Sequence, residues 1–278
     1  MAPTDEVTLQ IKGKIAIITL NIPKKLNAMN QDLYFRLASL MHEVAAMPEI
    51  TITLLTGNGR FFSAGADVGI SREGPSGADA SELRRHWLKS FVSNNLHITH
   101  AFYTHPKILV TALNGPAVGL SAALVAFSDF IYASPHTFLL TPFSSLGLVA
   151  EGLASVAFVQ RLGISKANEA LIMSKRLTAS ELEHVGFVNK IIDVGNPRDG
   201  DFSDKFLAEV LKEVNDRMGD HLNNDSMVKI KALIQAPLRK TMDAQGVLEV
   251  FGGLERFLSG VPQEEFRKVA SGEKKHKL

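Results

Sequence analysis

The chain has no cysteine, which excludes disulfides, thiolate nucleophiles and cysteine-based zinc sites and suits a reducing or oxidant-rich interior compartment. Net charge is nearly absent too, with 30 Lys and Arg against 29 Asp and Glu for a formal +1. Both signs are spread along the sequence, so no long-range field gathers nucleic acid or anionic lipid, and an anionic ligand must be held locally. No apolar run approaches the roughly eighteen residues that a membrane-spanning helix needs, so no membrane insertion is expected. Met1-Ala2-Pro3-Thr4-Asp5-Glu6 carries neither a basic region nor an apolar stretch, and no cleaved leader is expected. Repeats and low-complexity tracts are missing as well.

What is there is a globular mixture, 45% hydrophobic and 21% charged over 278 residues, enough for one large domain with an appendage. Residues 7–12 and 14–21 flank Gly13 and read as a hairpin, and 50–56, 108–113 and 129–133 read as further buried strands. Asn30 suits the N-cap of a helix whose stripe Leu33, Leu37, Leu40, Val44 stops at Pro48. The pattern predicts a long helix over 82–103, two shorter ones over 165–174 and 178–185, and a strand over 187–194. Beyond the polar stretch 195–201 it is wholly helical. One face carries Phe206, Leu207, Val210, Leu211 and Val214, and another carries Val247, Leu248, Val250, Phe251, Leu254, Phe257 and Leu258. An α/β core over residues 1–203 and a helical region over 204–278 are therefore expected. That region is too apolar for a solvated appendage. It either folds back on the core or meets another subunit, and the rich second stripe favours an oligomer.

Glu151 is the most informative residue, a lone carboxylate in Ser144-Ser145-Leu146-Gly147-Leu148-Val149-Ala150-Glu151-Gly152. An apolar setting of Leu148, Val149 and Leu153 raises a carboxylate's proton affinity and makes a candidate general base. Its plainer role is to cap the helix that begins near Gly152. Two glycine-bearing loops lie upstream, Ser63-Ala64-Gly65-Ala66-Asp67 and Asn114-Gly115-Pro116-Ala117-Val118-Gly119-Leu120-Ser121. Small residues after a strand let a ligand approach backbone N–H groups, and one preorganised donor contributes about 3–4 kcal/mol to an oxyanion-like transition state. Base plus oxyanion cradle suits enolate chemistry. Three other readings stand beside it. Gly119-Leu120-Ser121-Ala122-Ala123 resembles a nucleophile elbow, with His136 or His184 as base but no evident Asp partner. His97, His100 and His105 lack an acidic or Cys companion, so no metal site is expected. A non-catalytic scaffold assembled through the C-terminal helices is the third.

The segments Phe62-Ser63-Ala64-Gly65-Ala66-Asp67, Asn114-Gly115-Pro116-Ala117-Val118-Gly119 and Leu146-Gly147-Leu148 resemble the crotonase (enoyl-CoA hydratase/isomerase) superfamily over residues 7–194, and within it the fungal peroxisomal 3-enoyl-CoA isomerases. The resemblance implies a crotonase-like spiral of strand-strand-helix units and a C-terminal helical region that joins homotrimers or homohexamers. It implies an acyl-CoA substrate whose thioester oxygen meets the N–H groups of Ala66 and Leu120. Lys24, Lys25 and Arg60 would lie near the coenzyme A phosphates, with Leu26-Asn27-Ala28 and Ala64, Gly65, Ala66, Asp67 and Val68 around the pantetheine and adenine. Asn95 is placed to reach the base, though a solvated helix position is its plainer expectation.

Hydratases of the superfamily hold water between two glutamates, at places occupied here by Ala123 and Phe143. Glu151 matches the place used by 3-enoyl-CoA isomerases, and Leu153 stands where many of them carry a second glycine. The implied reaction is conversion of 3-enoyl-CoA to trans-2-enoyl-CoA in β-oxidation of unsaturated fatty acids, by proton transfer through one glutamate and with no metal or redox cofactor. An enoyl-CoA hydratase or a dienoyl-CoA isomerase is the alternative. His276-Lys277-Leu278 resembles the Ser-Lys-Leu peroxisomal address, which implies recognition by an import receptor and a place in the peroxisomal matrix.

Overall fold

A computed structural model describes residues 5–67, 69 and 74–274, so Val68 and His276-Lys277-Leu278 lie outside the described residues. Among the described residues nine strands run in chain order: β1 (Val7–Lys12), β2 (Ile15–Leu20), β3 (Ile52–Gly57), β4 (Ile108–Leu113), β5 (Ala117–Val118), β6 (Phe130–Ala133), β7 (Phe138–Leu140), β8 (Leu177–Thr178) and β9 (Lys190–Ile191). The helices are α1 (Gln31–Ala46), α2 (Ala80–Trp87), α3 (Ser93–Tyr103), α4 (Leu120–Val125), α5 (Ala154–Leu171), α6 (Ala179–His184), α7 (Phe202–Met218), α8 (Asn224–Gln235), α9 (Arg239–Leu258) and α10 (Val261–Ala270).

The main sheet has the order β1-β2-β3-β4-β6-β9, with β1 antiparallel to β2 and every other pair parallel. β3 and β4 are buried at every position, as expected of parallel strands covered on both faces. Ile18, Leu55, Leu109 and Ile131 point to the face packed by α1, α3 and α5. Ile17, Ile52, Leu54 and Val110 point the other way, where Phe206, Val210, Val214 and Met218 of α7 cover them. Part of the C-terminal helical region therefore folds back on the core. Asn30 caps α1 as expected, its side chain accepting from Leu33 N–H at 2.9 Å.

Several elements differ from the sequence pattern. The helix expected over 82–103 is α2 and α3 joined by a π-helical turn, Leu88–Val92, whose extra residue shifts the apolar face. Trp87 and Phe91 both reach Phe257 of α9, with ring centroids 4.5 and 4.7 Å away. α5 begins at Ala154, and Gly163 with φ of 73° interrupts it, so the stripe from 165 onward marked only its second run. The strand expected over 187–194 shrinks to two residues, and the Asn189 side chain meets the Ile131 N–H of β6 at 2.7 Å. β5, β7 and β8 form a small second sheet that the sequence did not signal.

The α9 stripe divides between two faces. Val250, Leu254 and Phe257 are buried against Trp87 and Val92, while Val247, Leu248 and Phe251 stay exposed, as do Ile230, Leu233 and Ile234 of α8. Among the described residues no helix is long and apolar enough to cross a membrane.

His105 ties the helical layer to the sheet, its Nε2 lying 2.7 Å from the Thr53 hydroxyl. It is 2% exposed, and burial, reinforced by Lys231 and Lys107, pushes its pKa down to about 3 from the ordinary 6.5. The unfolded chain thus binds a proton that the folded one refuses. The stability this group protects is complete above about pH 6.5 and is lost as pH falls toward 3. Denaturant titrations should show stability declining through that window, with a shallower decline in His105→Gln; an unchanged slope in the variant would refute the assignment.

Candidate active site

Two buried amides fasten the loops that follow β3 and β4. Asn114 accepts Gly57 N–H at 3.1 Å and donates to the carbonyls of Gly59 and Phe61 at 2.7 and 3.1 Å. Asn27 donates to the carbonyls of Asn58 and Phe61 at 2.9 and 2.8 Å. The loops then pair directly, Ser63 N–H to Pro116 O at 3.1 Å and Val118 N–H to Ser63 O at 2.9 Å. Gly65 has φ of 85°, and a Cβ there would meet the Val118 carbonyl oxygen at 2.7 Å, so only glycine permits this approach. Met29 donates to Gly65 O and accepts from Asp67 N–H. That pattern turns the N–H of the intervening Ala66 away from Met29. Leu120 opens α4, where a helix leaves its first N–H groups without intrahelical acceptors.

Ala66 and Leu120 line one cleft of about 540 Å³ together with Glu151. Glu151 is 9% exposed, and its Oε2 accepts from Asn95 Nδ2 at 3.2 Å. The next residue fixes where it sits. Gly152, with φ of 65°, presses on the first turn of α4 so closely that a Cβ would meet Leu120 Cδ1 at 2.8 Å and Ala123 Cβ at 3.1 Å. The carboxylate is thereby held beside the loop that carries Leu120. Trp87, Phe91, Phe143, Leu148, Phe257 and Phe266 supply apolar walls, so α9 and α10 contribute to the same cleft. A carboxylate, two backbone N–H groups and apolar walls can together take a proton from carbon and hold the resulting oxyanion away from water.

The sequence matches the enoyl-CoA hydratase/isomerase family model over residues 10–237. The chain belongs to that family. It is 57% identical over 277 residues to a Delta(3,5)-Delta(2,4)-dienoyl-CoA isomerase of Pyricularia oryzae, covering 98% of each chain. It is 31% identical over 279 residues to a 3,2-trans-enoyl-CoA isomerase of Saccharomyces cerevisiae, covering 99% of this chain and 97% of that one. The crystal structure of an enoyl-CoA hydratase/isomerase from Pseudoalteromonas atlantica T6c superposes with a TM-score of 0.80 at 24% identity, covering 98% of this chain and all of that one, and shows the shared crotonase fold.

In this cleft the structure gathers Ala64, Gly65, Ala66, Asp67, Asn95, Leu120 and Glu151. Lys24, Lys25, Leu26 and Ala28 are not among its lining residues. Lys24 and Lys25 are exposed on the turn before it, Lys25 pairing with Asp67 at 3.0 Å, and Leu26 O accepts from Ala64 N–H at 2.9 Å. Three expectations are corrected. Asn95 is not solvated: it is 5% exposed, because α9 packs over α3. Ser121 is no nucleophile elbow, since it is 2% exposed and bonded to Ser63 and Tyr34, while His136 bonds Arg60 O and Ser134 and His184 is exposed. The cap of α5 comes not from Glu151 but from Glu249 of α9, which accepts Leu153 N–H at 2.7 Å and Ser155 N–H at 3.0 Å. Sequence reasoning missed Glu249, although an acid between Leu248 and Val250 in an apolar stripe was a signal.

A larger groove of about 850 Å³ runs beneath α8. Among the described residues its acids are ion-paired, Asp129 with Lys231 at 2.6 Å and Glu213 with Lys190 at 2.7 Å, whereas Glu151 in the smaller cleft accepts from the neutral Asn95.

Proposed function

We propose that this family member is an isomerase that converts 3-enoyl-CoA to trans-2-enoyl-CoA, with Glu151 as the proton-transfer group. One observation carries the reading. Among the described residues lining the cleft, Glu151 is the single buried carboxylate, whereas Asp32 is exposed on α1 and Asp67 is paired with Lys25. The Glu151 carboxylate takes a proton from C2, and the C2–H electron pair moves into the thioester to give a dienolate. Its oxygen accepts from Ala66 and Leu120 N–H. The Glu151 acid then returns the proton to C4, leaving the double bond between C2 and C3 and the carboxylate restored. Hydration is disfavoured by Ala123 and Phe143, both buried and neither able to activate water. Coenzyme A enters as part of the substrate, with Lys24 and Lys25 as the proposed partners of its phosphates.

The name of the Pyricularia relative favours a second reading, isomerisation of a 3,5-dienoyl-CoA to the 2,4-dienoyl form. That reaction returns the proton at C6, four carbons from where it was taken, and calls for a second acid or a longer reach from the same one. Purified protein given 3-enoyl-, 3,5-dienoyl- and 2-enoyl-CoA in deuterated water separates the cases. The expected result is fastest turnover of the 3-enoyl substrate, with deuterium entering C2 and C4. Turnover of the dienoyl substrate alone, or rapid hydration of 2-enoyl-CoA, would replace the proposal.

Assembly into trimers or paired trimers is part of the same proposal, supported by the exposed Ile230, Leu233, Ile234, Leu248 and Phe251. Sedimentation showing a monomer would remove it. Peroxisomal import through His276-Lys277-Leu278 is supported by the sequence alone, and retention in the cytosol of the full chain expressed in cells would refute it.

A further inference from the structure

Between Glu151 and α5 the backbone takes two successive left-handed residues, Gly152 with φ of 65° and Leu153 with φ of 58°. Glycine adopts that region freely. Leucine does not, and a side chain held there has to be over-determined by its surroundings. Here α9 does the holding. Leu153 N–H donates to Glu249 Oε2 at 2.7 Å, and Ser155 donates to Oε1 through its N–H at 3.0 Å and through its hydroxyl. Gln245 steadies that hydroxyl at 3.1 Å, and α9 also runs alongside the Leu153 side chain, whose Cδ2 would be in ordinary contact, 3.7 Å, with a Cβ at Gly246. Glu249 is 6% exposed and does not line the cleft.

We infer that Glu249 is a positioning residue for the isomerisation, fixing the direction of the Glu151 carboxylate by holding Leu153 in its left-handed conformation. The inference rests on the reading of Glu151 as the base. The base is attached to a short stretch of backbone gripped from two sides, by α4 through Gly152 and by α9 through Leu153. When the grip of Glu249 is lost, Leu153 relaxes toward an ordinary backbone conformation and Glu151 turns with it. Phe257 of α9 is held in the cleft wall by Trp87 and Phe91, and the loop bearing Ala66 is held by Met29, so binding of the thioester persists. The effect belongs in kcat rather than in KM.

Glu249→Gln keeps the shape of the side chain but turns one acceptor into an NH2 group facing a backbone donor. It should lower kcat for 3-enoyl-CoA by about tenfold or more with KM within about twofold, in a protein that still melts cooperatively and binds a saturated acyl-CoA. Ser155→Ala removes the hydroxyl that donates to Glu249 and accepts from Gln245 but keeps the backbone N–H donor, and should lower kcat by about threefold. In a Glu151→Gln background, Glu249→Gln should add nothing, because the two residues act through one group. Wild-type kcat in the folded Glu249→Gln variant would overturn the inference, and so would a full multiplicative loss in the double variant. If Glu249→Gln fails to fold, Ser155→Ala decides, and unchanged kcat there is fatal. Should Glu151→Gln itself keep full turnover, the base reading fails on its own; should Glu151→Gln be inactive while Glu249→Gln and Ser155→Ala turn over normally, only the positioning role fails.

Discussion

Replacing Glu151 with glutamine should lower turnover of 3-enoyl-CoA at least about a hundredfold while acyl-CoA binding survives, the range expected when a general base is removed. Glutamine preserves the volume of the side chain and leaves Asn95 an oxygen to donate to, so the cleft keeps its shape. What it lacks is a basic oxygen. No other buried carboxylate among the described residues lines the cleft to take over the proton. Steady-state kinetics and calorimetric titration with a saturated acyl-CoA check the two halves of the statement. Turnover near that of the wild type would end the assignment of Glu151 as the base.

Gly65→Ala is expected to cause a loss of similar size by a different route. A methyl group there would be 2.7 Å from the Val118 carbonyl oxygen and 3.2 Å from its carbon, and φ of 85° is itself strained for alanine. The clash is with backbone, so relief means separating the loop of Ala66 from the loop of Leu120. Their N–H groups then no longer converge, and losing one such donor typically costs about a hundredfold or more in kcat. Gly77→Ala is the control, since its φ is 73° but a Cβ there meets nothing within 4 Å. Kinetics alongside thermal melting of both variants separate backbone strain from loop separation. Comparable activity in Gly65→Ala and Gly77→Ala would contradict the proposed convergence.

Much of this site could be read from the sequence because its parts are local. The glycine-bearing loops follow buried strands whose apolar runs are unmistakable in 108–113, and Asn30 sits where an N-cap must precede the Leu33, Leu37, Leu40 stripe. Glu151 stood out as a charge without a patterned reason. What stayed hidden depends on contacts between distant segments. β5, β7 and β8 have two or three residues each, too few to express an alternation. Asn95 read as solvated because nothing in 93–103 tells that α9 will cover it. Periodicity found the apolar residues of α9 but not their division between a buried face at Val250 and Leu254 and an exposed one at Leu248 and Phe251. The link between Glu249 and Leu153 spans 96 residues, and although an acid inside the α9 stripe marks one end, nothing local names its partner.

The walls of the cleft begin at Met29 and finish at Phe266. A ribosome delivers those residues in that order, so a nascent chain that has already laid down its sheet and both loops still presents an unroofed trough. Thioester capture before release from translation is therefore disfavoured by geometry alone. The apolar side chains of the cleft stay open to solvent for that interval, the condition under which a partly folded chain is prone to aggregate.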